Sequence, residues 1–146
     1  MIDFAALVDS ELGVGEWFQI EQDRVDAFAD ATLDHQWIHQ AGARAETGPF
    51  GGPIAHGFLT LSLMGPLTAA VMEPYREGVA MVVNYGVDRV RFITPVPVGS
   101  RIRGRVRLVG AKPIDGGVQL KTEITIELEE MDRPAAVVES ILRYYG

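Results

Sequence analysis

The sequence predicts an α+β fold, an antiparallel sheet packed on one apolar helix, and three observations lead there. Residues 57–72, GFLTLSLMGPLTAAVM, carry no charged side chain, and a helix apolar nearly all round must be surrounded by other structure. From residue 80 onward the chain falls into strand-like runs bounded by Gly and Pro. The strands follow the helix in one block, which is the arrangement of an α+β architecture.

In chain order, EWFQI at residues 16–20 reads as a short first strand after Gly13 and Gly15. From Asp23 the spacing turns helical. Val25, Phe28, Ala29, Thr32 and Leu33 fall on one face, and acidic residues stand at the start, where the helix dipole favours them. This helix delivers Asp34 at its C-terminal end. DHQWIHQAG follows as a turn and a short helix, and residues 46–53, ETGPFGGP, are a loop. His56-Gly57 opens the apolar helix, which Pro66 should kink or split because it removes a backbone donor. Strands are expected at 80–86, 88–96, 101–110, 118–130 and 135–145, with KPIDGG at 112–117 turning between the two longest.

Arg101, Arg103, Arg105 and Arg107 alternate with Ile102, Gly104, Val106 and Leu108. They could form an anion-binding stripe. The stronger expectation is a salt-bridge ladder, because the next strand carries Glu123, Glu127 and Glu129 on one face. Folded about KPIDGG, Arg105 should stand near Glu123 and Arg101 near Glu127.

With 47% hydrophobic residues, residues 1–146 are expected to fill the core of a single domain. A formal charge of -7 weighs against a nucleic-acid partner, since phosphate binding draws on a net basic surface. The absence of cysteine excludes disulfides, thiolate metal sites and a cysteine nucleophile, and suits a cytoplasmic location. MIDFAALVDS has no basic stretch and does not read as a signal peptide. The apolar segment is shorter than the roughly 20 residues that span a bilayer, so no membrane partner is expected.

The segment DHQWIHQAG holds Asp34, His35 and His39 in a chain with three histidines. His35 and His39 have the i, i+4 spacing of a zinc helix. However, Gln36 stands where the general-base glutamate would be and no third ligand motif follows, so no metal is expected. No G-x-S-x-G elbow is present, and Ser62 within the apolar helix reads as a back-bonded hydroxyl. Walker and G-x-G-x-x-G loops are also missing. Asp34 and His39, five apart across a turn, could share one water as an acid/base pair. The alternative is that Asp34 caps the next short helix and His39 fills a satisfied polar pocket. Gly57 tilts the balance: its N–H is unpaired at the positive end of a buried helix and no side chain obstructs it, a good place for a developing oxyanion.

Taken together, Asp34-x-x-x-x-His39, the Gly/Pro loop, IAHGFLTLSL at 54–63 and NYGVDRVRF at 84–92 resemble the MaoC-like (R)-specific enoyl-CoA hydratase family. The branch most similar is that of nodulation protein N and the short bacterial 3-hydroxyacyl-thioester dehydratases. The resemblance covers almost the whole chain. It implies a hot-dog fold, a central helix wrapped by a curved antiparallel sheet, in a homodimer with its sites near the subunit interface. It implies Asp34 and His39 as catalytic residues and the Gly57 amide as oxyanion donor. The family's usual D-x-N-P-x-H is altered here, with Gln36 and Trp37 at the Asn and Pro positions, so the turn that aims the pair must be built differently.

The implied reaction is reversible hydration of trans-2-enoyl thioesters to (R)-3-hydroxyacyl thioesters in fatty-acyl metabolism, on coenzyme A or acyl carrier protein, with no cofactor. Phe50, His56, Phe58 and Asn84 are candidate substrate contacts, and Phe58, Leu61 and Met64 candidate walls of an acyl tunnel. A hot-dog acyl-CoA thioesterase and a non-catalytic acyl-thioester-binding subunit are the alternatives.

Overall fold

A computed structural model describes residues 2–146. Its strands are β1 (Glu11–Val14), β2 (Phe18–Gln19), β3 (Met81–Phe92), β4 (Arg101–Ile114), β5 (Gly117–Leu128) and β6 (Ala136–Tyr145). Its α-helices are α1 (Gln22–Thr32), α2 (Ala43–Glu46), α3 (Gly57–Ser62) and α4 (Met64–Met72).

Strict alternation builds the centre of the sheet. Along β4, Ile102, Val106 and Leu108 turn inward while the arginines between them turn out, and β5 answers with buried Leu120, Ile124, Ile126 and Leu128. The two strands meet at a tight turn, Ile114 facing Gly117, with Gly116 at φ +73° where a side chain would be strained. The turn is tighter than the whole of KPIDGG, and a bulge between Leu108 and Gly110 shifts the register once more. The expected pairings are therefore displaced: Arg103 faces Glu127, Arg107 faces Glu123 and Arg105 faces Thr125. The ladder exists with other partners. Arg101 pairs with Glu129, Arg103 with Glu127 at 2.8 Å, and Arg105 with both Glu127 and Glu11.

All pairings in the sheet are antiparallel, in the order β1-β4-β5-β6-β3, with β2 also on β4. Two elements differ from expectation. β1 is an additional strand, laid along Arg105 to Arg107, and the strands expected at 80–86 and 88–96 are one, β3, interrupted by bulges between Asn84 and Gly86 and between Val87 and Arg89. A bulge keeps a strand running through residues that break its alternation.

The apolar helix splits at Leu63, whose φ of -80° and ψ of -1° join α3 to α4. The cause is Pro66, which has no N–H for the Ser62 carbonyl and crowds it with its ring. Ser62 itself bonds back to the Phe58 carbonyl at 2.7 Å. Leu59, Leu63 and Leu67 enter one core with Ile102, Ile126 and Val138. At Gly104 the sheet comes so close to α4 that a Cβ would lie 3.0 Å from the Thr68 methyl and 3.2 Å from the Leu67 carbonyl. The opposite stripe, Phe58, Gly65, Pro66, Ala69 and Ala70, is exposed rather than surrounded. β3, paired among the described residues only with β6, also exposes Met81, Val83, Tyr85 and Val87. A curved antiparallel sheet against a central helix is the hot-dog fold. Among the described residues no helix is long and apolar enough to cross a membrane.

Candidate active site

The site begins where α1 stops. Leu33 takes the left-handed conformation, φ 61° and ψ 23°, and this reversal ends the helix. It turns Leu33 outward, 82% exposed, instead of into the core as the helical spacing suggests. Asp34 then leaves the helix axis, its carboxylate receiving a long 3.4 Å bond from the Gln36 N–H. Residues Trp37–His39 form one turn of 3-10 helix, closed by His39 N–H to Gln36 O at 3.1 Å. Trp37 is wedged against Gly48, where a Cβ would lie 3.0 Å from the indole, and the Arg44 guanidinium covers its ring at 4.5 Å. Trp37 is thus packed on both faces of the turn that carries His39.

His39 is buried, 7% exposed. Its Nδ1 lies 2.7 Å from the Ile54 carbonyl; a carbonyl only accepts, so Nδ1 donates and Nε2 keeps its lone pair. Burial, the largest influence, lowers its pKa below the ordinary imidazole value. The Ile54 bond and Asp34 act upward and His56 downward, with burial prevailing.

Against His39 lies the third histidine. The His56 ring stacks on that of His39 with centroids 3.7 Å apart and planes at 23°, and Phe28 stands against it at 4.9 Å. His56 Nε2–H donates to the backbone carbonyl of Asp34 at 3.0 Å. At 2% exposed, His56 lies behind His39 and outside the cavity lining. The Asp34 carboxylate and one nitrogen of each histidine lie within 4.8 Å of one another. The set fits an acid/base site better than a metal. The two rings stack with planes at 23°, so their lone pairs run along near-parallel planes rather than toward one tetrahedral centre. His35 stays apart, exposed beside Asp30 at 3.7 Å.

Gly57 opens α3, so its N–H has no acceptor within the helix. It lines a cavity of about 240 Å³ with Ile38, His39, Ile54, Thr60 and Phe92. A Cβ on Gly57 would meet the Phe92 ring at 2.9 Å, so the missing side chain is what lets that ring close over the helix start. The loop before α3 is clamped from both sides, Ile54 N–H to Ile38 O at 2.9 Å and Ala55 N–H to Val96 O at 2.8 Å. Asp34 stands exposed beside His39, outside the lining itself.

The remaining candidates divide. Phe58, 68% exposed, meets Phe92 edge to face at 5.9 Å. Phe50 is exposed in the loop. Asn84 lines a separate cavity of about 290 Å³ with Leu61, Ser62, Met64, Tyr85 and Ser140. Thr60 and Phe92 line the site without having been singled out. The one signal for Phe92 is Gly57 itself, since a glycine at a helix start asks what fills the space in front of it.

Residues 3–130 match the family model described as MaoC like domain. The chain is 47% identical over 143 residues to 3-hydroxyacyl-thioester dehydratase Z of Mycobacterium tuberculosis, covering 97% of this chain and 93% of that protein. It is 46% identical over 137 residues to nodulation protein N of Rhizobium leguminosarum bv. viciae, covering 92% and 84%. Among solved structures, the (R)-hydratase from A. caviae involved in PHA biosynthesis superposes with a TM-score of 0.67 at 23% identity, over 88% of this chain and 94% of that one. The monoamine oxidase regulatory protein from Archaeoglobus fulgius gives 0.80 at 21% identity, over 99% and 95%. The structures are likenesses of fold alone. The family model, which runs through the Asp34 turn, the Gly57 helix and the sheet as far as β5, makes the chain a member of the MaoC-like domain family.

Proposed function

We propose that the chain is a hydratase and dehydratase that interconverts trans-2-enoyl and (R)-3-hydroxyacyl thioesters, with Asp34 and His39 as its acid/base pair. The observation that carries this reading is the state of His39: buried, tied through Nδ1 to Ile54, and left with a free Nε2 lone pair beside the Asp34 carboxylate and in one cavity with Gly57. In hydration, water held by the pair gives up a proton to it and its oxygen bonds to C3. The C2=C3 electrons pass toward the thioester carbonyl, whose developing charge meets the Gly57 N–H. The pair then returns one proton to C2, so that one water has been added and the enzyme is restored. Dehydration runs the same path backward.

The substrate is an acyl thioester of coenzyme A or acyl carrier protein, and Phe92 and Phe58 offer it an apolar wall. A second copy of the chain is its natural partner. The exposed stripe of α3 and α4 and the free edge of β3 are apolar surfaces that a homodimer would cover.

The test is a spectrophotometric assay of conjugated thioester absorbance with a short and a medium trans-2-enoyl-CoA, alongside a thiol reagent. Absorbance loss without thiol release is expected. Asp34→Asn and His39→Ala should each lower kcat about 100-fold or more. Release of thiol would make the chain a thioesterase, and ligand-induced stabilisation without turnover would make it a binding subunit.

A further inference from the structure

We propose that His56 is a positioning residue, which holds Asp34 by its backbone carbonyl and backs the His39 ring, so that both groups keep one geometry relative to the Gly57 N–H that follows it in the chain. The proposal rests on the Asp34–His39 reading above and explains how that pair is aimed without the family's Asn and Pro.

Three observations converge. The Nε2–H bond of His56 to Asp34 O, 3.0 Å long, spans 22 residues and ties the end of α1 to the start of α3. The stack of the two imidazoles at 3.7 Å leaves the His39 ring no freedom to tilt toward His56, while the Ile54 carbonyl fixes the same ring at its edge. The third is a cost. His56 Nδ1 is buried and finds no hydrogen-bond partner among the described residues, a situation that folded proteins avoid. A phenylalanine or leucine would fill the space beside Phe28 without that cost. The ring is therefore explained by what its other nitrogen does, and that nitrogen holds Asp34. Among the described residues the Asp34 side chain receives only the long Gln36 bond, so its direction depends on where its backbone is held.

The test compares three variants of the full chain, with kcat and KM measured on a trans-2-enoyl-CoA. His56→Asn is too short to reach the Asp34 carbonyl. His56→Phe keeps a ring without a donor, and His56→Gln places an N–H near the position of Nε2. His56→Asn and His56→Phe should lower kcat about 10- to 100-fold, the scale of a misplaced catalytic group, with KM unchanged, and His56→Gln should regain most of the loss. The double variant Asp34→Asn, His56→Asn should lose less than the two single losses combined, since changes acting through one catalytic pair do not add. Wild-type kcat in His56→Asn and His56→Phe overturns the proposal. Equal losses in the Gln and Phe variants, or an additive double variant, overturn it too, by reducing His56 to packing. Thermal melting identifies the variants that fold, and should His56→Asn fail to, the comparison of Gln with Phe decides. Full activity of Asp34→Asn by itself would instead remove the acid/base pair, and this proposal with it.

Discussion

Gly57 and Phe92 make one unit, because a Cβ on the glycine would stand 2.9 Å from the ring. Gly57→Ala should therefore push Phe92 out of place and lower kcat about 10-fold or more, as expected when an oxyanion donor is disturbed. Adding Phe92→Leu should recover part of the loss, and steady-state kinetics of the single and double variants checks both. His39 sets the pH dependence. Burial holds its pKa below the ordinary imidazole value of about 6.5, so the acid limb of kcat/KM should lie below that value. The same shift affects stability. As pH falls through about 6.5 the unfolded chain takes up a proton that native His39 refuses, so stability declines down to the native pKa and then levels off. Urea midpoints measured across this window should show that decline, and His39→Gln should flatten it. At this scale the closeness of Asp34, His39 and Gly57 was legible, because a turn of five residues and a helix start are local features. The contact of His56 with Asp34 was not, since it joins residues 22 apart in sequence.

The left-handed end of α1 shows an element formed against residue preference. Leucine at φ 61° is strained where glycine is not, and its side chain is left in solvent. Leu33→Gly should raise stability by up to about 1 kcal/mol, whereas Leu33→Val should lower it, both read from denaturant midpoints. The spacing from Val25 to Leu33 correctly announces a helix, but the pattern cannot tell that its last member belongs to the cap. A similar limit governs the sheet. Apolar alternation gave β4, β5 and β6, whereas the tight turn at Ile114 and Gly117, together with the bulge after Leu108, set a register in which Arg103 rather than Arg101 faces Glu127 and Arg105 faces Thr125. β1 escaped notice because four residues containing a glycine carry too short a pattern. Pro66 did announce the break at Leu63, since its missing donor acts whatever the tertiary context.

For the whole molecule, the apolar segment at 57–72 was expected to be covered on all sides, and one chain covers only part of it. The uncovered stripe and the free edge of β3 predict that melting depends on protein concentration, as it does when association stabilises the native form. Val83→Lys with Val87→Lys should abolish that dependence, since charge on an edge strand opposes pairing, and sedimentation should then report the monomer. The edge also limits what can join it. β3 offers 12 residues to a newcomer, but its two bulges bend it near Gly86 and again near Arg89. A second β3, turned head to tail, would carry the same two bulges, and a pair closed in this way would leave no edge for a third. A homodimer closed through this edge would leave no apolar strand free to seed open-ended fibres.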